Sequence, residues 1–171
     1  MVLELPPELS KIAETELNET LETRTTGILE LRKRLEHLPE DLRPARLDDD
    51  YLVAFLRCTK YRLDIAEKKL VQLAKLRRQY PEYSSNLRAE EFKEMYGQGF
   101  MRVLNGHDKQ GRVISCLLPA HMKDLKDPTV FMRWMFWVMD QFLDDPYMQV
   151  RCESNRYLHA ADQTTNGPMC S

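Results

Sequence analysis

Apolar positions recur at three- and four-residue spacing through most of the first 96 residues, which is the signature of amphipathic helices. Leu9, Ile12, Ala13, Leu17 and Leu21 form one stripe, and Ile28, Leu31, Leu35 and Leu38 continue it until Pro39 and Pro44. Thr and Gly are poor helix formers, so 23–27 is the expected place for a kink or stop. Between residues 48 and 83 the pattern predicts two helices joined at a tight corner. Leu52, Phe55 and Leu56 give the first an apolar face, with Asp48 or Asp49 placed to cap it. Asp64, with Glu67 three residues on, resembles a capping box opening the second. Ala66, Leu70, Leu73, Arg77 and Tyr80 then fall on one helical face, and Pro81 ends it.

A short helix is expected over 88–95, closed by Gly97 or Gly99. The period then changes. Residues 100–104 and 112–118 are short apolar runs with β-branched members, and 105–111 is turn chemistry rich in Gly, Asn and Asp, so a β-hairpin is expected. Residues 127–145 form the most apolar helical stretch. Asp127 is set to cap it, Pro128 suits its first turn, and apolar side chains cover nearly its whole circumference. Such a helix belongs inside something. Met132, Met135 and Met139 share one face of it. Ordinary core packing accounts for that face, and so does the wall of a hydrophobic ligand site, because thioether chains conform to variable shapes.

Composition narrows the function classes. The chain has 171 residues, 30% of them charged and 43% hydrophobic, with net charge -2. These values predict one globular domain or a small pair and give no global case for nucleic-acid binding. Cys58, Cys116, Cys152 and Cys170 are far apart, and the first residues lack a secretory pattern, so reduced thiols are expected. No apolar run reaches the length of a membrane span. The exception to the even charge is the central helix pair. Arg57, Lys60, Arg62, Lys68, Lys69, Lys75, Arg77 and Arg78 face only Asp64 and Glu67. That asymmetry is either a solvated face or a local site for anionic headgroups. His107 and His121 have no partner at ligand spacing, so neither a metal nor a cofactor is expected. There is no phosphate-binding glycine loop, no acid–base pair and no nucleophile–histidine arrangement, so an enzyme is not expected.

The order of parts is more specific than any part. Phe55-Leu56-Arg57, Leu76-Arg77, Pro81-Glu82 and the run from Asp108 through Gly111-Arg112-Val113 occur in the sequence and spacing of the CRAL-TRIO family. The chain resembles that family from about residue 9 to 150. The resemblance implies an α/β family fold, mostly α in this chain. It places an N-terminal helical domain at 1–96, the start of a lipid-binding α/β domain at 97–150, and a non-matching, disordered polar tail at 151–171. It implies binding and intracellular transfer of a small hydrophobic ligand such as a tocopherol or retinoid. The site implied is cytoplasmic, peripheral on endosomal membranes and docked through phosphoinositides. The second Arg of the family's Phe-Leu-Arg pattern is replaced here by Thr59, which leaves Arg57, Lys60 and Lys68 as the implied headgroup contacts. Met132, Met135 and Met139 align with the family's ligand wall.

After Val150 the family continues into a buried parallel strand, which should read as near-continuous Val, Ile and Leu. Residues 151–171 contain no Val or Ile. The chain therefore reads as the family pattern truncated after Val150 by a different exon, a frameshift or a misjoined gene. Lost burial at about 25 cal/mol per Å² is large against net stabilities of about 5–15 kcal/mol. A firm helical part up to about 96 and a labile remainder are expected. The alternative function is a non-transferring helical interaction module, or an inert product lacking the pocket.

Overall fold

The computed structural model describes residues 4–97, 99, 101–107, 113–117 and 127–151. These are mostly helical: α1 (Pro7–Leu17), α2 (Leu21–Glu36), α3 (Asp49–Cys58), α4 (Leu63–Gln79), the short α5 (Pro81–Ser84), a 3-10 turn (Ala89–Phe92) and α6 (Lys93–Gly97). A hairpin of β1 (Met101–His107) and β2 (Val113–Leu117) follows, then α7 (Pro128–Asp144) and α8 (Pro146–Arg151). The strands are antiparallel, with Met101 opposite Leu117 and an irregularity between Val103 and His107. The strand β1 thus runs three residues beyond the expected boundary. The Asp108–Arg112 part of the family pattern, His121 and the tail beyond Arg151 lie outside the described residues.

Local chemistry sets the helix ends. The break between α1 and α2 falls at Asn18, which takes a left-handed φ of 59°, and not at 23–27. Thr20 caps α2, and Thr23 returns the bond to the Thr20 amide at 2.7 Å, so a residue expected to interrupt the helix in fact starts it. Gly27 sits buried mid-helix, where a Cβ would stand only 3.3 Å from the side chains of Leu56 and Tyr61. The expected Asp48 cap on α3 forms, its carboxylate accepting from the Tyr51 amide at 3.1 Å. The expected Asp64–Glu67 capping box does not. Asp64 is already the second residue of α4, too late to cap it, and Arg34 of α2 draws both carboxylates, at 2.7 and 3.6 Å.

Helix α3 is the centre of the body. Every residue from Tyr51 to Arg57 is buried. Its apolar members pack with Ile28, Leu31 and Leu35 of α2 and with Ala66 and Leu70 of α4. The corner into α4 is a Schellman motif. The Tyr61 amide donates to the Leu56 carbonyl at 2.8 Å and the Lys60 amide to the Arg57 carbonyl at 3.0 Å. Lys60 and Tyr61 adopt φ of 51° and 58°, where side-chain-bearing residues are disfavoured.

The C-terminal helices close this body. On α7, Trp134 and Val138 pack on Phe92 and Met95, and Leu143 reaches the α2–α4 cluster. Val150 of α8 packs on Leu9, Ala13 and Leu17 of α1. Arg133 donates to the carbonyls of Glu82, Ser85 and Asn86 and to the Glu91 carboxylate, fixing the connection below α7. Residues 127–151 are therefore seated on the helices across the boundary expected near 96. Helix α7 thus finds apolar partners on the helices of the N-terminal part.

Because Lys60 occupies the position where glycine is the usual helix terminator, Lys60→Gly is expected to raise stability by about 1 kcal/mol. Urea denaturation of the two proteins measures this.

Candidate functional site

Two faces of α7 do different work. Trp134, 1% exposed, points into the core, whereas Met132 and Met135 are 43% and 40% exposed. The outward face forms one wall of an apolar groove of about 540 Å³. Met132, Met135 and Met139 all line it, and Leu76, Tyr80 and Tyr83 line the wall opposite. The structure thus brings together the three methionines singled out in the sequence. It adds residues the sequence reading missed, since Leu76 and Tyr80 read there only as motif or core positions. Tyr80 and Tyr83 stack with ring centres 6.0 Å apart. Beneath the groove Arg77 pairs with Asp140, and its guanidinium lies 5.7 Å from the centre of the Phe136 ring. That ion pair ties α4 to α7 and so sets the spacing of the two walls. With lining side chains of this kind the groove suits a hydrophobic occupant held by shape and dispersion.

The cations divide sharply. Arg57, one of the three implied headgroup contacts, is 3% exposed. Its Nε and Nη2 donate to the two oxygens of Glu19, each at 2.7 Å, and its Nη1 donates to the Gln149 side-chain oxygen at 2.6 Å. Gln149 in turn donates to the Leu143 carbonyl at 2.6 Å. Arg57 is therefore removed from the membrane-facing set, because its charge is already neutralised inside the protein. Thr59 is also buried, and its hydroxyl donates to the Phe55 carbonyl at 2.9 Å. Arg78 serves structure as well, donating to the carbonyls of Glu40, Asp41 and Arg43. Lys60 at the corner and Lys68 on α4 are exposed.

Glu19 is 8% exposed, and Arg24 approaches it at 3.7 Å. Burial first, then the Glu19 charge, pushes the Tyr61 phenol well above its ordinary pKa, so it stays protonated. Neither Glu19 nor Gln149 carried a sequence signal. They stand 38 and 92 positions from Arg57, and periodicity does not report such pairs.

The chain is 33% identical over 118 residues to the human protein "Alpha-tocopherol transfer protein-like", a match covering 69% of this chain and 34% of that protein. The mouse protein of the same name is 35% identical over 118 residues. This chain belongs to the CRAL-TRIO family. Clavesin-1 of Xenopus laevis, 28% identical over 149 residues, extends the match to 85% of this CRAL-TRIO chain and 45% of the relative. No family model matches the chain. The match spans less than half the length of these relatives.

Removing one partner of a buried ion pair strands the other charge. Arg57→Met is expected to cost about 3–5 kcal/mol in urea denaturation, and adding Glu19→Met should recover most of it.

Proposed function

We propose that this CRAL-TRIO chain serves the binding and intracellular transfer of a small hydrophobic ligand, a tocopherol, retinoid or similar lipid. It acts as a carrier and not as a catalyst. The observation that carries this reading is the outward methionine face of α7, which opens a groove of about 540 Å³ walled by Met132, Met135 and Met139. A contiguous exposed apolar wall is a common mark of a ligand groove, and thioether side chains adapt to the shape of a hydrophobic occupant. The tocopherol-transfer wording in the relatives' names supports the ligand class. In this reading the helical part is the family's N-terminal domain, and the hairpin with α7 begins its α/β lipid-binding domain.

The same reading gives the protein a cytoplasmic station with peripheral docking on phosphoinositide-containing endosomal membranes. Lys60 and Lys68 are the implied contacts that remain exposed. A lysine at a membrane surface contributes about 1 kcal/mol, so two form only part of a docking site.

Retinol tests the groove directly, since it accepts energy from tryptophan, and Trp134 and Trp137 are carried by α7, the helix that forms one wall. Tryptophan-to-retinol energy transfer is expected to saturate with the wild-type chain. Met132→Glu with Met135→Glu should weaken uptake at least about tenfold, because an ionised group in an apolar site is costly. Both positions are exposed, so the melting temperature should hold. Unchanged uptake by the double variant rejects the groove as the ligand site and favours the non-transferring interaction module.

A further inference from the structure

Of the eight large hydrophobic side chains exposed among the described residues, four border one groove: Leu76, Tyr80, Met132 and Met135. Scattered singly such residues are ordinary, but gathered on one face they mark a surface that another body covers. The charges around that face are arranged by end. Arg77 pairs with Asp140, and Arg133 donates to the carbonyls of Glu82 and Ser85, so α4 and α5 run along α7 in the opposite sense. The part of α4 before Arg77 therefore points toward the C-terminal end of α7, and 82–91 lies against its N-terminal end. At the first end Lys68, Lys69 and Lys75 are exposed, with no carboxylate on α4 beyond Glu67. The acids near that end are met within their own chain. Asp64 and Glu67 lie against Arg34, Asp144 is 3.7 Å from Arg46, and Asp145 accepts from the Tyr147 and Met148 amides. At the second end, residues 82–94 carry Glu82, Glu90, Glu91 and Glu94 against Arg88 and Lys93. Glu91 is held by Arg133, and Glu82 and Glu90 are exposed.

A face with cations at one end, carboxylates at the other and apolar side chains between is complementary to itself, because a twofold rotation about its middle exchanges the ends. An unrelated protein would have to reproduce that order, whereas a second copy carries it already. An anionic bilayer laid over the whole face would set its phosphates against Glu82 and Glu90. We propose that two copies of this chain pair about such an axis, with Lys68, Lys69 and Lys75 of each facing Glu82 and Glu90 of the other. Leu76, Tyr80, Met132 and Met135 of both copies are then buried between them. The rim charges fix the register, and the apolar centre supplies the burial. One copy leaves the groove open on this side, and the second copy supplies the missing wall. The inference goes beyond the carrier reading and does not need it. A ligand fills the groove, whereas the second copy covers it, and separate variants test the two.

Sedimentation equilibrium over a range of concentrations tests it. The chain is expected to show a reversible monomer–dimer equilibrium with no larger species, because a twofold contact closes on itself. Rising salt should weaken it by screening the charges at the ends. Lys69→Glu with Lys75→Glu, and separately Glu82→Lys with Glu90→Lys, should each weaken pairing at least about tenfold, since each sets like charges face to face. An equimolar mixture of these two variants should regain it, because unlike charges then meet at both ends. Lys11→Glu with Lys33→Glu, exposed lysines of α1 and α2, should leave it unchanged. All the substituted positions are exposed, so the melting temperature should hold. A chain that stays monomeric, open-ended growth, swaps no worse than the control pair, or a mixture that fails to associate each overturns the inference.

Discussion

The ion pair between Arg57 and Glu19 is the constraint on which the rest of the described structure depends. Both side chains are almost wholly buried, 2% and 4% exposed. Charges removed from water in this way persist only when each finds a full set of partners. Here the guanidinium finds two carboxylate oxygens of Glu19 and one amide oxygen of Gln149, so that three separate parts of the chain meet at it. Glu19 lies in the turn between α1 and α2, Arg57 at the end of α3 and Gln149 in α8. Satisfying one cation therefore fixes where the first turn, the central helix and the last described helix meet. The apolar seat of Val150 among Leu9, Ala13 and Leu17 reinforces the same junction.

With that junction closed, α7 has little freedom. It is bounded by α8 at one end and by the Arg133 contacts with the 82–91 connection at the other. Trp134 and Val138 take the core side, which turns the methionines outward. The Arg77–Asp140 pair then holds α4 at a distance that leaves an apolar trough between the helices. The groove is thus a consequence of where polar groups had to be satisfied, and its contents follow from the residues left over. The same arithmetic of partners explains the cationic face. Arginines went to carbonyls and carboxylates, which their forked donors suit, while the lysines of α4 stayed in solvent.

Several of these elements were legible in the sequence. The stripe of apolar positions located α2, α3, α4 and α7, and the Asp48 and Asp127 caps act where their residue types predict. The ordered motifs of 55–57, 76–82 and 108–113 carried the family. Boundaries decided by competition were not legible. Asn18 and Thr20 won the first helix break from the Thr23–Gly27 stretch because capping bonds and the close approach of Leu56 favour a continuous α2 there. Arg34 took Asp64 and Glu67 away from the expected capping box. For the site, the helical spacing of Met132, Met135 and Met139 was enough to place them on one wall. The opposite wall was hidden, because Leu76 and Tyr80 meet them only through tertiary packing. Arg57 was misplaced for the same reason: nothing local distinguishes a cation bound for the interior from one bound for the surface.

The most direct test of this account is native-state amide hydrogen exchange, compared between α7–α8 and the α2–α4 core. If Arg57 closes one cooperative body, amides of 131–150 will show protection approaching that of 51–57, and the two regions will lose it together as urea is raised. Strong protection of α2–α4 beside near-unprotected exchange in α7 and α8 would contradict it.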